Sequence, residues 1–179
     1  MPSRSRPDLV ELEQAIRTRR THKAYAPEAV APAILDELFE LARWAPNHHL
    51  TNPWRFRVVG PQALERLKAA TEDPIGAAKF DRAPTLVVVS ATQTGDAVQD
   101  EEDVLAAGAA AFIVLLAAHG RGLAGYWRTP AVLRDPAGAA AVGVPEGEHV
   151  IGLLHLGHPR QEPRVPERAP VADVATYLD

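Results

Sequence analysis

The stretch Val104–Ala118, VLAAGAAAFIVLLAA, runs for fifteen residues without one polar side chain. Such a run has to be covered. It is shorter than the ~20 apolar residues a bilayer-crossing helix needs. It follows the acidic Asp100–Asp103 and precedes His119-Gly120-Arg121-Gly122. A core helix, over about Ala97–His119, fits all of this. A second apolar run, TLVVVSA at Thr85–Ala91, is short and β-branched, which predicts a central strand.

The remaining elements follow from period and punctuation. A first helix is expected over Leu9–Arg19, capped by Asp8, with Leu9, Leu12 and Ile16 inward. Pro32 opens a second helix to Trp44, with Ile34, Leu35, Leu38 and Leu41 inward, and Pro46 stops it. WRFRVVG (Trp54–Gly60) reads as a strand, and a short helix runs from Pro61 to about Ala70. AGYW after the long helix can form a short strand. A short helix covers Pro136–Val142, and HVIGLLHLG (His149–Gly157) is another buried strand. The proline-rich HPRQEPRVPERAP is extended, and VADVATYL is a last short apolar segment. Two helices followed by strands alternating with helices make an α+β or α/β layered domain, one domain over residues 1–179.

Composition removes several classes of function. Cysteine is absent, which excludes disulfides, thiolate metal sites and cysteine nucleophiles and fits a cytoplasmic setting. The three serines, Ser3, Ser5 and Ser90, lie in no nucleophile-elbow sequence. MPSRSRPDLVELEQ is polar and acidic where a leader's apolar core would fall, so no signal peptide is expected. A net charge of −4 argues against nucleic acid as a partner. His48 and His49 are adjacent and expected to point apart. His155 and His158 flank a strand end without a partner motif, so no metal site is expected. Chemistry in this chain therefore falls to a bound cofactor.

Three stretches carry polar groups where a ligand could use them. RTRRTHKAYAP (Arg17–Pro27) gathers Arg17, Arg19, Arg20 and Lys23 with no acid between Glu13 and Glu28. Arg19, Thr21 and Lys23 alternate, so in an extended segment they share a side and can grip one phosphate. A solvated basic helix end is the other reading. WAPNHHLTNPWRF (Trp44–Phe56) crowds Trp, His and Asn into a loop, which suits a planar ligand with polar edges. A capped loop with Trp54 in the core is its alternative. In GLAGYWRTP (Gly122–Pro130), glycines permit close approach while Trp127, Arg128 and Thr129 offer ring-edge or hydroxyl contacts, or else Trp127 is simply core. No glycine-rich dinucleotide fingerprint follows a strand.

Taken in order, the Arg-Arg-Thr cluster, APNHHLTNPWRF and GYWRT resemble the nitroreductase family of FMN-dependent NAD(P)H oxidoreductases. The likeness is strongest to a compact bacterial subgroup with an Ala-Pro-x-His loop and a Gly-x-Trp-Arg-Ser/Thr segment. It covers about Leu12–Leu178. It implies an α+β fold, a central, mostly antiparallel sheet flanked by helices, and an intertwined homodimer with FMN at the interface. It places the flavin phosphate and ribityl chain at Arg19, Arg20 and Thr21, and Lys23 near the flavin N1 and O2 edge. His48, Asn52, Trp127, Arg128 and Thr129 become flavin contacts, and Arg168 returns to the phosphate. Ala117–Gly122 is a nicotinamide-side candidate. The long helix becomes the central dimer helix. The chain is short for the family, and Pro166 stands where some members carry a lysine.

The resemblance further implies ping-pong hydride transfer from NAD(P)H through flavin N5 to nitroaromatic or quinone acceptors, with no catalytic side chain. Dehalogenation, flavin fragmentation and a non-catalytic FMN sensor or carrier are the alternative readings. Neither nucleic acid nor membrane is expected as a partner.

Overall fold

The computed structural model describes residues 11–178; the expected cap Asp8 and the apolar Leu9 lie outside them. The chain order is α1 (Leu12–Thr18), α2 (Pro32–Ala42), β1 (Trp54–Val58), α3 (Pro61–Ala69), α4 (Pro74–Ala78), β2 (Thr85–Thr92), α5 (Ala97–Gly120), β3 (Ala124–Arg128), α6 (Pro136–Ala141) and β4 (Glu148–Gly157). One-turn 3-10 segments lie at 48–50, 79–82, 131–134 and 171–173. Of these elements, α4 and the one-turn segments have no counterpart in the sequence reading.

The four strands form one antiparallel sheet in the order β1-β2-β4-β3. The Thr85–Ala91 run lies inside it, as its continuous apolar pattern requires. Side chains alternate across the pleat. Val87, Val89, Ala91, Leu154 and Leu156 face α2 and α5. Leu86, Val88 and Leu153 face the other way, onto Leu67, Phe80 and Leu133. Helices thus cover both faces, giving the α+β architecture expected.

Helix α5 sets the spacing of the whole. Asp96 caps it by accepting from the Val98 and Gln99 N–H groups, each at 3.0 Å. Ala106, Ala107, Ala110, Ala111, Val114, Leu115 and Ala118 are buried at helical spacing. These small residues bring the helix close to the sheet. A Cβ on Gly125 would meet Leu115 Cδ2 at 2.7 Å, so a larger residue there would have to push that side chain aside. Gly122, at φ +75°, turns the chain out of α5 into β3.

Two expectations fail for one reason. Leu12 and Ile16 were expected inward, yet both are exposed, and Ala15 is the only buried residue of α1. Leu41 was expected inward on α2, and it too is exposed. Period finds an apolar face; it cannot say whether this chain or another covers it. Helix α2 also ends at Ala42, two residues short of Trp44, which is exposed.

One polar network ties three strands together. Arg57 of β1 donates twice to Glu148 of β4, at 2.8 and 2.9 Å, and Ser90 of β2 donates to Glu148 at 2.5 Å. Only 9% of the Glu148 side chain is exposed. Burial pushes its carboxyl up, but the bonds from Arg57 and Ser90 outweigh burial and hold it below the ordinary 4.5. A depressed folded value means the contribution is complete above the unfolded pKa and is lost as pH falls through the folded one. Glu148→Gln should therefore cost about 2–3 kcal/mol at pH 7, less than at a fully buried pair because Arg57 keeps some access to water. The gap between variant and wild type should narrow in urea unfolding at pH 3.5.

Candidate functional site

The basic cluster begins where α1 ends. Beyond Arg19 the chain extends and pairs with the edge of the sheet. Thr21 bridges Gly125, His22 N–H donates to Gly125 O at 3.1 Å, and Ala26 N–H donates to His158 O at 2.9 Å.

Three guanidiniums come together here. Arg19 is half-buried, with its guanidinium carbon 5.9 Å from the centre of the Phe112 ring on α5. Burial first, then Arg20 and Arg168, lower its pKa from the ordinary arginine value. Arg168 of the tail is thus near enough for its charge to act on Arg19. Arg20 donates to the carbonyls of Arg17 and Arg19, at 2.6 and 2.8 Å, while its Nε is buried without a partner. Among the described residues none of the three forms an ion pair with a carboxylate. Thr21 and Lys23 are exposed beside them.

The loop before β1 is strained and held. His49, Leu50 and Asn52 all have positive φ, 55°, 52° and 49°, and each such non-glycine residue costs of order 1 kcal/mol or more. Helix α5 supplies what holds them. His48 Nδ1 lies 2.6 Å from Glu102 Oε2. Thr51 donates to Asp103 Oδ1 at 2.6 Å, and Gln99 Nε2 donates to the same oxygen at 3.0 Å. Asn52 Nδ2 donates to Leu50 O at 2.7 Å, which leaves its other N–H and its carbonyl oxygen exposed. His48 and His49 do not point apart. The positive φ at His49 folds the loop back and stacks the rings at 3.8 Å. No metal-ligand cluster occurs among the described residues.

The Gly-Tyr-Trp-Arg-Thr residues divide between the two faces of β3. Trp127 lies on the α5 side, its indole N–H donating to Ile151 O at 3.3 Å. Arg128 points to the other side, 5.8 Å over the Phe80 ring, with one terminal nitrogen buried and unpartnered. Thr129, just past the strand, is exposed. Strand pleat places Trp127 and Arg128 on opposite faces, so the side chains of the segment do not form one patch.

Two acids were missed by the sequence reading, Glu102 and Asp103. Asp103 is 1% exposed and ties the loop to α5. Its signal was available, because it precedes Ala106, Ala107 and Ala110 on the buried face of the helix. A carboxylate at the head of an apolar stripe needs a partner.

The matches to known proteins agree with this layout. Residues 16–75 and 69–158 match the Nitroreductase family. A Bacillus subtilis protein named "Putative NAD(P)H nitroreductase YfhC" is 27% identical over 182 residues, covering 93% of this chain and 94% of that protein. The crystal structure of a nitroreductase-like family protein from Bacillus cereus superposes with a TM-score of 0.87 at 24% identity, over 95% of this chain and 97% of that one. A Desulfovibrio desulfuricans structure described as a "putative nitroreductase in complex with FMN" reaches 0.79 at 26% identity, over 94% and 96%. With a family match spanning most of its length, and a fold shared end to end with those structures, the chain belongs to the nitroreductase family.

Proposed function

We propose that this chain is an FMN-dependent NAD(P)H oxidoreductase that works as a homodimer and reduces nitroaromatic or quinone-type acceptors. The mutual influence of Arg19, Arg20 and Arg168, none of them paired with a carboxylate among the described residues, carries the reading. Three cations held together in a chain of net charge −4 oppose one another until an anion joins them. Guanidinium groups match phosphate geometry, and Thr21 adds a hydroxyl donor. A phosphate monoester fits this donor set, and FMN is the flavin that carries one.

When bound, FMN supplies a ring nitrogen that accepts hydride from NAD(P)H and passes the electron pair to the acceptor. The protein positions and supplies charge. Lys23, two residues past Thr21, offers a cation to the negative charge of the reduced ring. The loop with His48 and Asn52 brings polar groups to ring edges, its strain already met by Glu102 and Asp103. Trp127 and Arg128 fall on opposite faces of β3, so at most one of those two side chains meets the ring, and Thr129 adds a hydroxyl just past the strand. No side chain is assigned as catalyst.

The dimer is supported by apolar surface that this chain leaves uncovered. Val98, Leu105 and Phe112 are exposed at seven-residue spacing along one side of α5, with Leu105 at 68%. Exposed Leu12 and Ile16 lie on α1, which packs against α5. From His158 to Leu178 only Pro163 is partly covered, and Tyr177 is 94% exposed. Exposed apolar side chains grouped in this way favour an interface.

Arg19→Ala combined with Arg168→Ala should weaken FMN binding by roughly 2–5 kcal/mol, since a hydrogen bond to a charged group is worth ~1.5–3 kcal/mol. Unchanged affinity in a fluorescence titration would remove the phosphate assignment. Leu105→Glu places a charge on the proposed interface. It should shift the protein to monomer in sedimentation velocity and lower its flavin content; a dimer that persists would contradict the assigned interface.

A further inference from the structure

The ends of α1 and α5 meet at two histidines outside the assigned flavin contacts. Thr18 donates its only hydroxyl proton to Gln14 O at 2.6 Å. Its oxygen also lies 2.8 Å from His119 Nε2, so that bond runs from the histidine, and Nε2 carries the proton. His22 Nδ1 lies 3.1 Å from Arg20 O, and a carbonyl only accepts, so His22 donates through Nδ1. In each neutral ring the second nitrogen keeps its lone pair. Adding a proton there breaks neither bond. It adds a positive charge beside the basic cluster.

The surroundings make that charge unwelcome as they stand. His119 shares a cavity of about 910 Å³ with Thr18, Arg20 and His22, with Arg121 at the end of its own helix, and with Arg160 and Glu162 after β4. Arg121 is paired with Glu37 of α2 at 3.1 Å, which leaves Glu162 as the acid of the lining. Burial first, then His22, Arg19 and Arg20, hold His119 below the ordinary 6.5. Burial and Arg19 lower His22 more than its bond to Arg20 O raises it.

We propose that His22 and His119 are the proton-linked half of the anion grip, so that a phosphate monoester bound at Arg19, Arg20 and Arg168 draws protons onto these rings. This rests on the flavin reading for the identity of the ligand, though not for the presence of an anion. The anion offsets the repulsion from the arginines, and each imidazole titrates higher in the bound state. Affinity then rises as pH falls through the bound-state value. A shift of one pKa unit per histidine corresponds to about tenfold in affinity at most. Ligands without phosphate gain nothing.

The test compares FMN with riboflavin between pH 8.5 and 6.5, where most of the free FMN phosphate stays doubly charged. FMN should tighten several-fold as pH falls and riboflavin should not. His119→Gln keeps a donor for Thr18 but cannot take a charge, and it should lose much of the trend. A wild type that binds FMN equally across this range, or a variant with the wild-type trend, overturns the proposal and leaves the flavin reading intact. NMR titration of the His119 ring in the wild type does not depend on the variant folding. Its midpoint should rise on adding FMN and on adding inorganic phosphate. A rise with phosphate but no binding of FMN would keep the proton-linked grip and remove the flavin; a midpoint unmoved by either would end the proposal.

Discussion

The close contact between α5 and the sheet is the constraint on which the rest depends. Alanine at 106, 107, 110, 111 and 118 lets the helix lie down on β2, β3 and β4, and Gly125 makes room for Leu115. Once the helix is set, its ends fix two separate pieces of the site. Near its start, Glu102 and Asp103 hold the loop with three positive-φ residues. At its end, His119 holds Thr18 and with it the last turn of α1. Midway, Phe112 carries the Arg19 guanidinium on its ring. One rigid rod thus positions the arginines at the end of α1 and a loop of amide and imidazole groups relative to each other, and the proposed cofactor site would draw on that preorganisation.

Charge then decides what the site can accept. The cations at the end of α1 complement the helix dipole, which explains one or two of them. It does not explain Arg168, which arrives from more than a hundred residues away in sequence to join a group that repels it. Nor does it explain the buried, unpartnered Nε of Arg20. An isolated buried donor costs on the order of 1–3 kcal/mol, so one kept beside Arg19 and Arg168 fits the proposed anion site. The same reasoning sets apart the Arg57–Ser90–Glu148 network, where every charge is answered within the chain and the role is to bind strands together.

Much of this was legible in the residues. The long helix, the strands at 54, 85 and 149, and the short one at 124 follow from apolar period and from Pro, Gly and Asp at the element ends. The role of Arg168 came from the resemblance alone, and its charge acts on Arg19. What was not legible has physical causes. The direction of Leu12, Ile16 and Leu41 depends on a covering surface this chain does not supply. The stacking of His48 on His49 depends on a positive φ that the sequence pattern does not announce. The separation of Trp127 from Arg128 follows from the pleat of β3 and could have been read from the strand already expected there. Asp103 sits in an acidic run, and only its place on the buried face of the helix sets it apart from Glu101.

The most direct test of the account is the absorption spectrum of the purified protein, supplied with FMN if it emerges colourless, before and after NADH or NADPH is added without oxygen. The account predicts flavin bands in the visible blue that co-purify or appear with FMN, and that bleach when the nucleotide is added. A protein that takes up no FMN would show that the arginines at the end of α1 answer to some other anion. Bands that stay unbleached with both nucleotides would leave a flavin site but contradict the oxidoreductase assignment.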